Sequence, residues 1–447
     1  MLTDNALHYT LLHLLKVALP SHEGARFTFT RSGQGVTVTI HEQAKIIITL
    51  LSEQETTTLL LGKAPVTHLP SADGKVEIPA FQPAANSLSQ PIVNENGELV
   101  LPYDLITPSF FLLSRAEEHN GQPRDEHDRF RYQDSLAHHY GFIHLPLVDE
   151  YAMLLRQWIM ELLKPDFEIL PRQFQFIPTH DIDLLYRFHS PWQAFKSIVG
   201  RDLLLEHNWR AMRQSLREYR QWRTDSRKDP YLAAITELAQ VEQDNGLSPV
   251  FFFKAQKNGE YDCQYAIDNP NTLLCIKDLR DAGIQVGLHG SYKSYDNAEL
   301  FSCEKARLEH VTGSPVTCCR QHYLRFGATT LSTWQACGIT DDYTLCHAEQ
   351  PGFRCGTCHP YPLYDTEHDC ATQITEHPLI VMDGSLLDYI HLDIAESNAL
   401  IERLRQRCAA VGGDFIVLWH NHLLSRSYRT FYEKTYLPLI QNHRQHE

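Results

Sequence analysis

The stretch FQFIPTHDIDLLYRF, residues 174–188, decides how the rest of the chain is read. Phe174, Phe176 and Ile177 form an apolar run that passes through Pro178 into His180, Asp181 and Asp183. A buried strand has no structural need for two carboxylates and an imidazole at its end, whereas the rim of an active site does. Side chains alternate along a strand, so Asp181 and Asp183 project to the same side. The plainer reading is that the aspartates cap a helix and pair with Arg187.

Outward from this stretch, short apolar runs alternate with helical patterns. PVFFFKA (249–255), QVGLHGSY (285–292), VTCCRQHYL (316–324), DDYTLCH (341–347), PLIVMDG (378–384) and FIVLWHNH (415–422) read as strands with helices between them. This rhythm predicts a parallel sheet with helical crossovers, open or closed into a barrel. In such folds the carboxyl ends of the strands share one rim, where active sites lie. Asp181 and Asp183, His289, Arg320 and His322, and His420 all stand at such ends. One carboxylate and two imidazoles can hold a divalent ion and leave positions open for water and substrate. A second carboxylate can take a proton from that water, and a histidine opposite can protonate the leaving group. His420 and His422 are two apart, so one is expected to face the site and the other the wall; we favour His420.

In this order THDID, GLHGSY, RQHYL and LWHNH resemble the motifs of the polysaccharide deacetylase (NodB-homology, carbohydrate esterase) superfamily. The likeness is to the branch with a T-H-D-x-D first motif and an added N-terminal domain, and GITDDYTL (338–345) and GFRCGTC (352–358) share it. It implies an α/β fold, a distorted (β/α) barrel over 172–447, with a divalent metal, zinc being the expected ion, and a carbohydrate substrate. It makes Asp181 the catalytic base, Asp183 and His289 metal ligands, Arg320 the residue that orients the base, and His420 the general acid. One position departs from the pattern. Where the second motif carries another histidine, this chain has Lys293, a poor ligand while protonated. His322, in place of the usual proline of the third motif, becomes the candidate third ligand; His180 and a water are the alternatives. Tyr292, Tyr323 and Arg354 are the candidate substrate contacts, although packing is the plainer role for the two tyrosines.

A chain of 447 residues is long for a single core. Residues 1–165 form a separate expectation, an α+β accessory domain. Its strands are RFTFTRSGQGVTVTIHE and KIIITLL, and VDEYAMLLRQWIMELL (148–163) is its strongest helix. What this domain binds stands open between glycan, a partner protein and a second copy of the chain in a homo-oligomer. A formal charge of −15, from 55 acidic and 40 basic residues, argues against a nucleic-acid binder. The basic segment 207–228 reads as a solvated helix face. No apolar run reaches the ~20 residues of a membrane span. The N-terminus carries Asp4 and no basic leader, unlike a signal peptide, so the 11 cysteines read as reduced thiols in the cytoplasm. RCGTCH (354–359) matches the C-x-x-C-H haem pattern but reads as a glycine-containing loop, because that attachment needs export.

The functional expectation is therefore a metal-dependent hydrolase that removes an N-acetyl or O-acetyl group from a sugar or glycan intermediate. The alternative is a non-catalytic carbohydrate-binding or scaffold protein whose metal site has degenerated, as Lys293 suggests.

Overall fold

The computed structural model describes residues 2–20, 26–119, 121–166, 169–170, 172–196, 198, 209–262, 265, 267–425 and 428–443. It divides into two compact units whose sequence segments interleave. The first holds Met1–Gln175, Leu345–Ile380 and Glu402–Phe415; the second holds Phe176–Thr344, Val381–Ile401 and Ile416–Glu447.

In the first unit, helix Asp4–Ala18 starts where the Thr3 side chain accepts from the Ala6 amide. Phe27–Ser32, Gly35–Ile40 and Ala44–Thr49 form an antiparallel meander, as their alternation predicts. Val36, Val38 and Ile40 are buried while their neighbours are half-buried, which is the period of a strand with one covered face. Leu99–Leu101 joins the meander in parallel beside Ala44–Thr49. The helix expected over 148–163 is α-helical over Leu147–Trp158 and ends in a π turn, Ile159–Leu163.

Most of the expected parallel sheet belongs to the second unit. Asp341–Asp342, Cys318–Gln321, Gln285–Gly290, Val250–Phe253, Gln175–Ile182, Asp414–Leu418 and Val381–Met382 are neighbours in that spatial order, in an open row. The registers Thr179 to Val250, Leu288 to Phe253 and His289 to Arg320 are all parallel. Phe251, Phe252 and Phe253 are fully buried, the continuous apolar run of a strand covered on both faces. Crossover helices begin at side-chain caps. Asp229 caps Pro230–Asp244, Asn269 caps Pro270–Asp281 and Asn297 caps Ala298–Thr312.

The basic segment is helical over Trp209–Thr224; residues 207 and 208 lie outside the described residues. The helix is not simply a solvated face. Its Met212, Tyr219 and Trp222 pack against buried Phe188, Ala194 and Ile198. Arg187, the partner suggested above for the aspartates, pairs instead with Glu218 of this helix.

Sheet registration at the site depends on close approach at Gly287. A Cβ there would lie 2.6 Å from Phe252 Cδ1 and 2.7 Å from Cys318 Sγ, in both flanking strands. Gly287→Ala is expected to destabilise the protein by about 1–3 kcal/mol through overpacking, measured as a lower midpoint in urea unfolding with an unchanged slope.

Candidate metal and acid–base site

The ends of six parallel strands and one loop deliver the site. Asp181 and Asp183 end the first strand, and Asp181 is 3% exposed. Arg320 Nη1 donates to Asp181 Oδ1 at 3.0 Å, and its Nε donates to the Tyr343 carbonyl at 2.8 Å. Its guanidinium is fully buried and lies 4.8 Å from the Phe252 ring centre. Burial opposes ionisation of Asp181, but His289, Arg320 and His420 outweigh it and hold the pKa below the usual carboxylate range.

Asp183, His289 and His322 come together, with one ligand atom of each lying within 4.8 Å of the others. His289 Nε2 is 3.4 Å and His322 Nε2 is 3.2 Å from Asp183 Oδ1. Each imidazole is turned by its other nitrogen. His289 Nδ1 faces the Arg320 carbonyl at 2.9 Å, and His322 Nδ1 faces Asp262 Oδ1 at 3.1 Å. Both partners only accept, so the hydrogens sit on Nδ1 and both Nε2 lone pairs turn inward, the orientation that metal-bound histidines adopt. Burial lowers the pKa of His289, the direction that favours the neutral ring a ligand requires. His289 Nε2 is buried and makes no hydrogen bond, so it is open to a divalent ion, while Asp183 Oδ1 is ion-paired with the Lys254 ammonium.

His420 stands across Asp183, its Nε2 3.5 Å from Asp183 Oδ2. Asp383, fully buried, accepts from the His420 amide at 2.6 Å and faces Nδ1 at 2.7 Å. Burial alone would lower the pKa of His420; the carboxylates of Asp383 and Asp183 reverse this and raise it well above the usual histidine value. His422 packs beside Tyr231, and burial, then His420, push its pKa down to about 4.

Among the sequence candidates, Tyr292 and Tyr323 join Tyr261 in an aromatic cluster. The Tyr261 and Tyr292 rings are stacked 4.4 Å apart, and Tyr323 lies edge-on to the His322 ring at 4.7 Å. Tyr323 and Leu324 have φ values of 60° and 54°, a left-handed pair directly after His322. Arg354 is not brought to this cluster. It lies in the first unit, buried, where its Nη2 donates to Glu118 at 2.6 Å and its Nη1 to the Cys346 carbonyl at 3.0 Å. His180 points away as well. Its Nδ1 meets the Trp419 carbonyl at 2.7 Å and its Nε2 meets Glu242 at 3.0 Å, so its ring nitrogens are both engaged. Lys293 is exposed. In the RCGTCH loop, the Cys358 amide donates to Asp149 and His359 Nε2 faces the Val411 carbonyl.

Three ionisable site residues had not been singled out from the sequence. Lys254 follows the strand Val250–Phe253, and its Nζ is 2.6 Å from Asp183 Oδ1. Asp383 follows the strand Val381–Met382. Both stand at the carboxyl end of a strand, so the rule that found His289 reaches them too. Asp262 comes from a loop, and nothing in its sequence context marks it.

Residues 3–164 match a family of unknown function (DUF7033). No curated protein matches the chain. Among solved structures, one similar chain is assigned as a polysaccharide deacetylase from Mycobacterium smegmatis, at 16% identity over 59% of this chain and 82% of that one, with a TM-score of 0.36. A second is a CE4 family pseudoenzyme from Bacillus anthracis, at 11% identity over 61% and 63%, with a TM-score of 0.31. A third is a family 4 carbohydrate esterase from Streptomyces lividans, at 15% identity over 47% and 82%, with a TM-score of 0.27. At these values the likenesses assign neither chemistry nor substrate to this chain. No helix among the described residues is long and apolar enough to cross a membrane.

If His322 is the third ligand, His322→Ala should weaken Zn²⁺ binding by about an order of magnitude or more, because the remaining pair holds the ion poorly. Lys293→Ala should leave it unchanged. Equilibrium titration against a chromophoric zinc indicator checks both.

Proposed function

We propose that this protein is a metal-dependent carbohydrate deacetylase that hydrolyses an N-acetyl or O-acetyl group of a sugar or glycan, with zinc as the expected ion. The observation that carries the reading is one carboxylate pair with opposed supports. Asp183 faces two inward-turned imidazole nitrogens, while Asp181, beside it, is bonded to Arg320. The order of the THDID, GLHGSY, RQHYL and LWHNH motifs supports the same reading.

Asp183, His289 and His322 would hold the ion, which when bound would acidify water and polarise an acyl carbonyl. Asp181 accepts the proton of the attacking water at the carboxylate that Arg320 keeps ionised. His420, held as an imidazolium by Asp383, donates its Nε2 proton to the departing nitrogen or oxygen. The two groups thus begin in the protonation states that a base and an acid need, because their surroundings push their pKa values apart. Tyr261, Tyr292 and Tyr323 offer ring faces beside the donors for the sugar. Residues 1–165 are read as an accessory domain to the catalytic region 172–447.

A second reading is a carbohydrate-binding protein without turnover, and the observation in its favour is the Lys254 ammonium among the donor atoms. Release of acetate from N-acetylated and O-acetylated sugars after Zn²⁺ addition separates the two. Asp181→Asn should retain metal and lose roughly a hundredfold or more in kcat; near-full turnover in that variant would remove Asp181 as the base.

The pH profile carries two further expectations. Arg320 holds the Asp181 pKa down, so Arg320→Met should raise it and move the acidic limb of kcat/KM to higher pH. Asp383 holds the His420 pKa up, so Asp383→Asn should move the basic limb to lower pH. Limbs that stay in place in folded variants would take these residues out of the acid–base pair.

A further inference from the structure

Lys254 is 2% exposed, and its ammonium has three partners among the described residues. It lies 2.6 Å from Asp183 Oδ1, 2.9 Å from His322 Nε2 and 3.9 Å from Asp262 Oδ1. The first two atoms belong to the donor set that would hold a divalent ion. His322 presents its Nδ1 hydrogen to Asp262, an acceptor, so its Nε2 offers a single in-plane lone pair. That lone pair can accept an ammonium hydrogen or coordinate an ion; it cannot do both. Asp183 Oδ1 has more than one lone pair, but an ion at coordination distance from it and from His322 Nε2 would meet the ammonium at close range, cation against cation.

We propose that Lys254 is a resident cation of this site: its ammonium and a divalent ion are alternative occupants of Asp183 and His322, and the ion binds by displacing the lysine. This rests on the reading of Asp183, His289 and His322 as the metal donors. Asp262 gives the displaced ammonium somewhere to go, since its carboxylate is already within 3.9 Å and is buried. Asp262 also touches His322 Nδ1 and the Tyr292 amide, so the lysine moves toward a group that orients the same ligand. Lys254 therefore selects among ions. An ion must gain enough from two imidazole nitrogens to release a charge-assisted hydrogen bond, which favours Zn²⁺ or Co²⁺ over oxygen-seeking Mg²⁺.

The test is a Co²⁺ titration of the full chain at fixed pH, followed by visible absorption and by calorimetry, comparing wild type with Lys254→Met. The methionine keeps the length and removes the charge. It is expected to bind Co²⁺ roughly tenfold or more tightly, because binding no longer breaks the charged hydrogen bond. Equal affinities in the two proteins overturn the competition while leaving the metal site standing. Absence of binding in both overturns the metal reading itself, and this proposal with it. If Lys254→Met does not fold, wild-type crystals soaked in Co²⁺ decide. The expected result is an ion on Asp183 and His322 with Nζ turned to Asp262. An ion there with Nζ still within ~3.2 Å of Asp183 Oδ1 overturns the proposal.

Discussion

The carboxylate of Asp183 is the anion on which the site depends. Lys254, His322, His289 and His420 approach it at 2.6, 3.2, 3.4 and 3.5 Å. Burial opposes its charge, yet Lys254 and then His322 hold its pKa well below the usual range. Asp181 stands two residues away with the same sign, and each aspartate has its own cation, Arg320 for one and Lys254 for the other. Removing one partner from a buried pair leaves a charge that costs about 3–5 kcal/mol, which applies to Asp181 with Arg320, whereas the Asp183 side chain is 23% exposed. Asp183 faces the Lys254 ammonium through Oδ1 and the His420 ring through Oδ2, and a divalent ion would take the first of these places.

The same side chain is put to different uses by its second nitrogen. His289 Nδ1 faces a carbonyl, a neutral acceptor, and burial then favours the uncharged ring. His420 Nδ1 faces the carboxylate of Asp383, and that charge overrides burial. His180 has its two nitrogens occupied by Trp419 and Glu242, which leaves it to hold neighbouring elements together. Tyr436 donates to the same Glu242 at 2.6 Å, so this buried histidine belongs to a closed structural network.

Much of the site was legible because a parallel sheet aligns its strand ends. That constraint is topological, so it applies to residues far apart in the chain, such as Asp181 and His420. It applied equally to Lys254 after PVFFF and Asp383 after PLIVM, which carry the same kind of residue at the same place. They were missed because each was read within an apolar segment. Asp262 lay beyond reach, since it enters from a loop and matters only because His322 Nδ1 points at it.

By itself the sequence determined the alternation of strands and helices, and with it a parallel sheet whose ends carry Asp181, Asp183, His289, Arg320, His322 and His420. Period and strand polarity suffice for that, because alternation sets the side on which a residue projects. The tertiary structure alone decided the partner of each side chain. It turned His322 inward and His180 outward. It put Arg354 against Glu118, 236 residues away in the chain and within the same unit. It also brought the Lys254 ammonium onto Asp183. The physical reason is that charge pairing acts through space over a few ångströms and requires desolvated partners, and only the folded chain sets those distances.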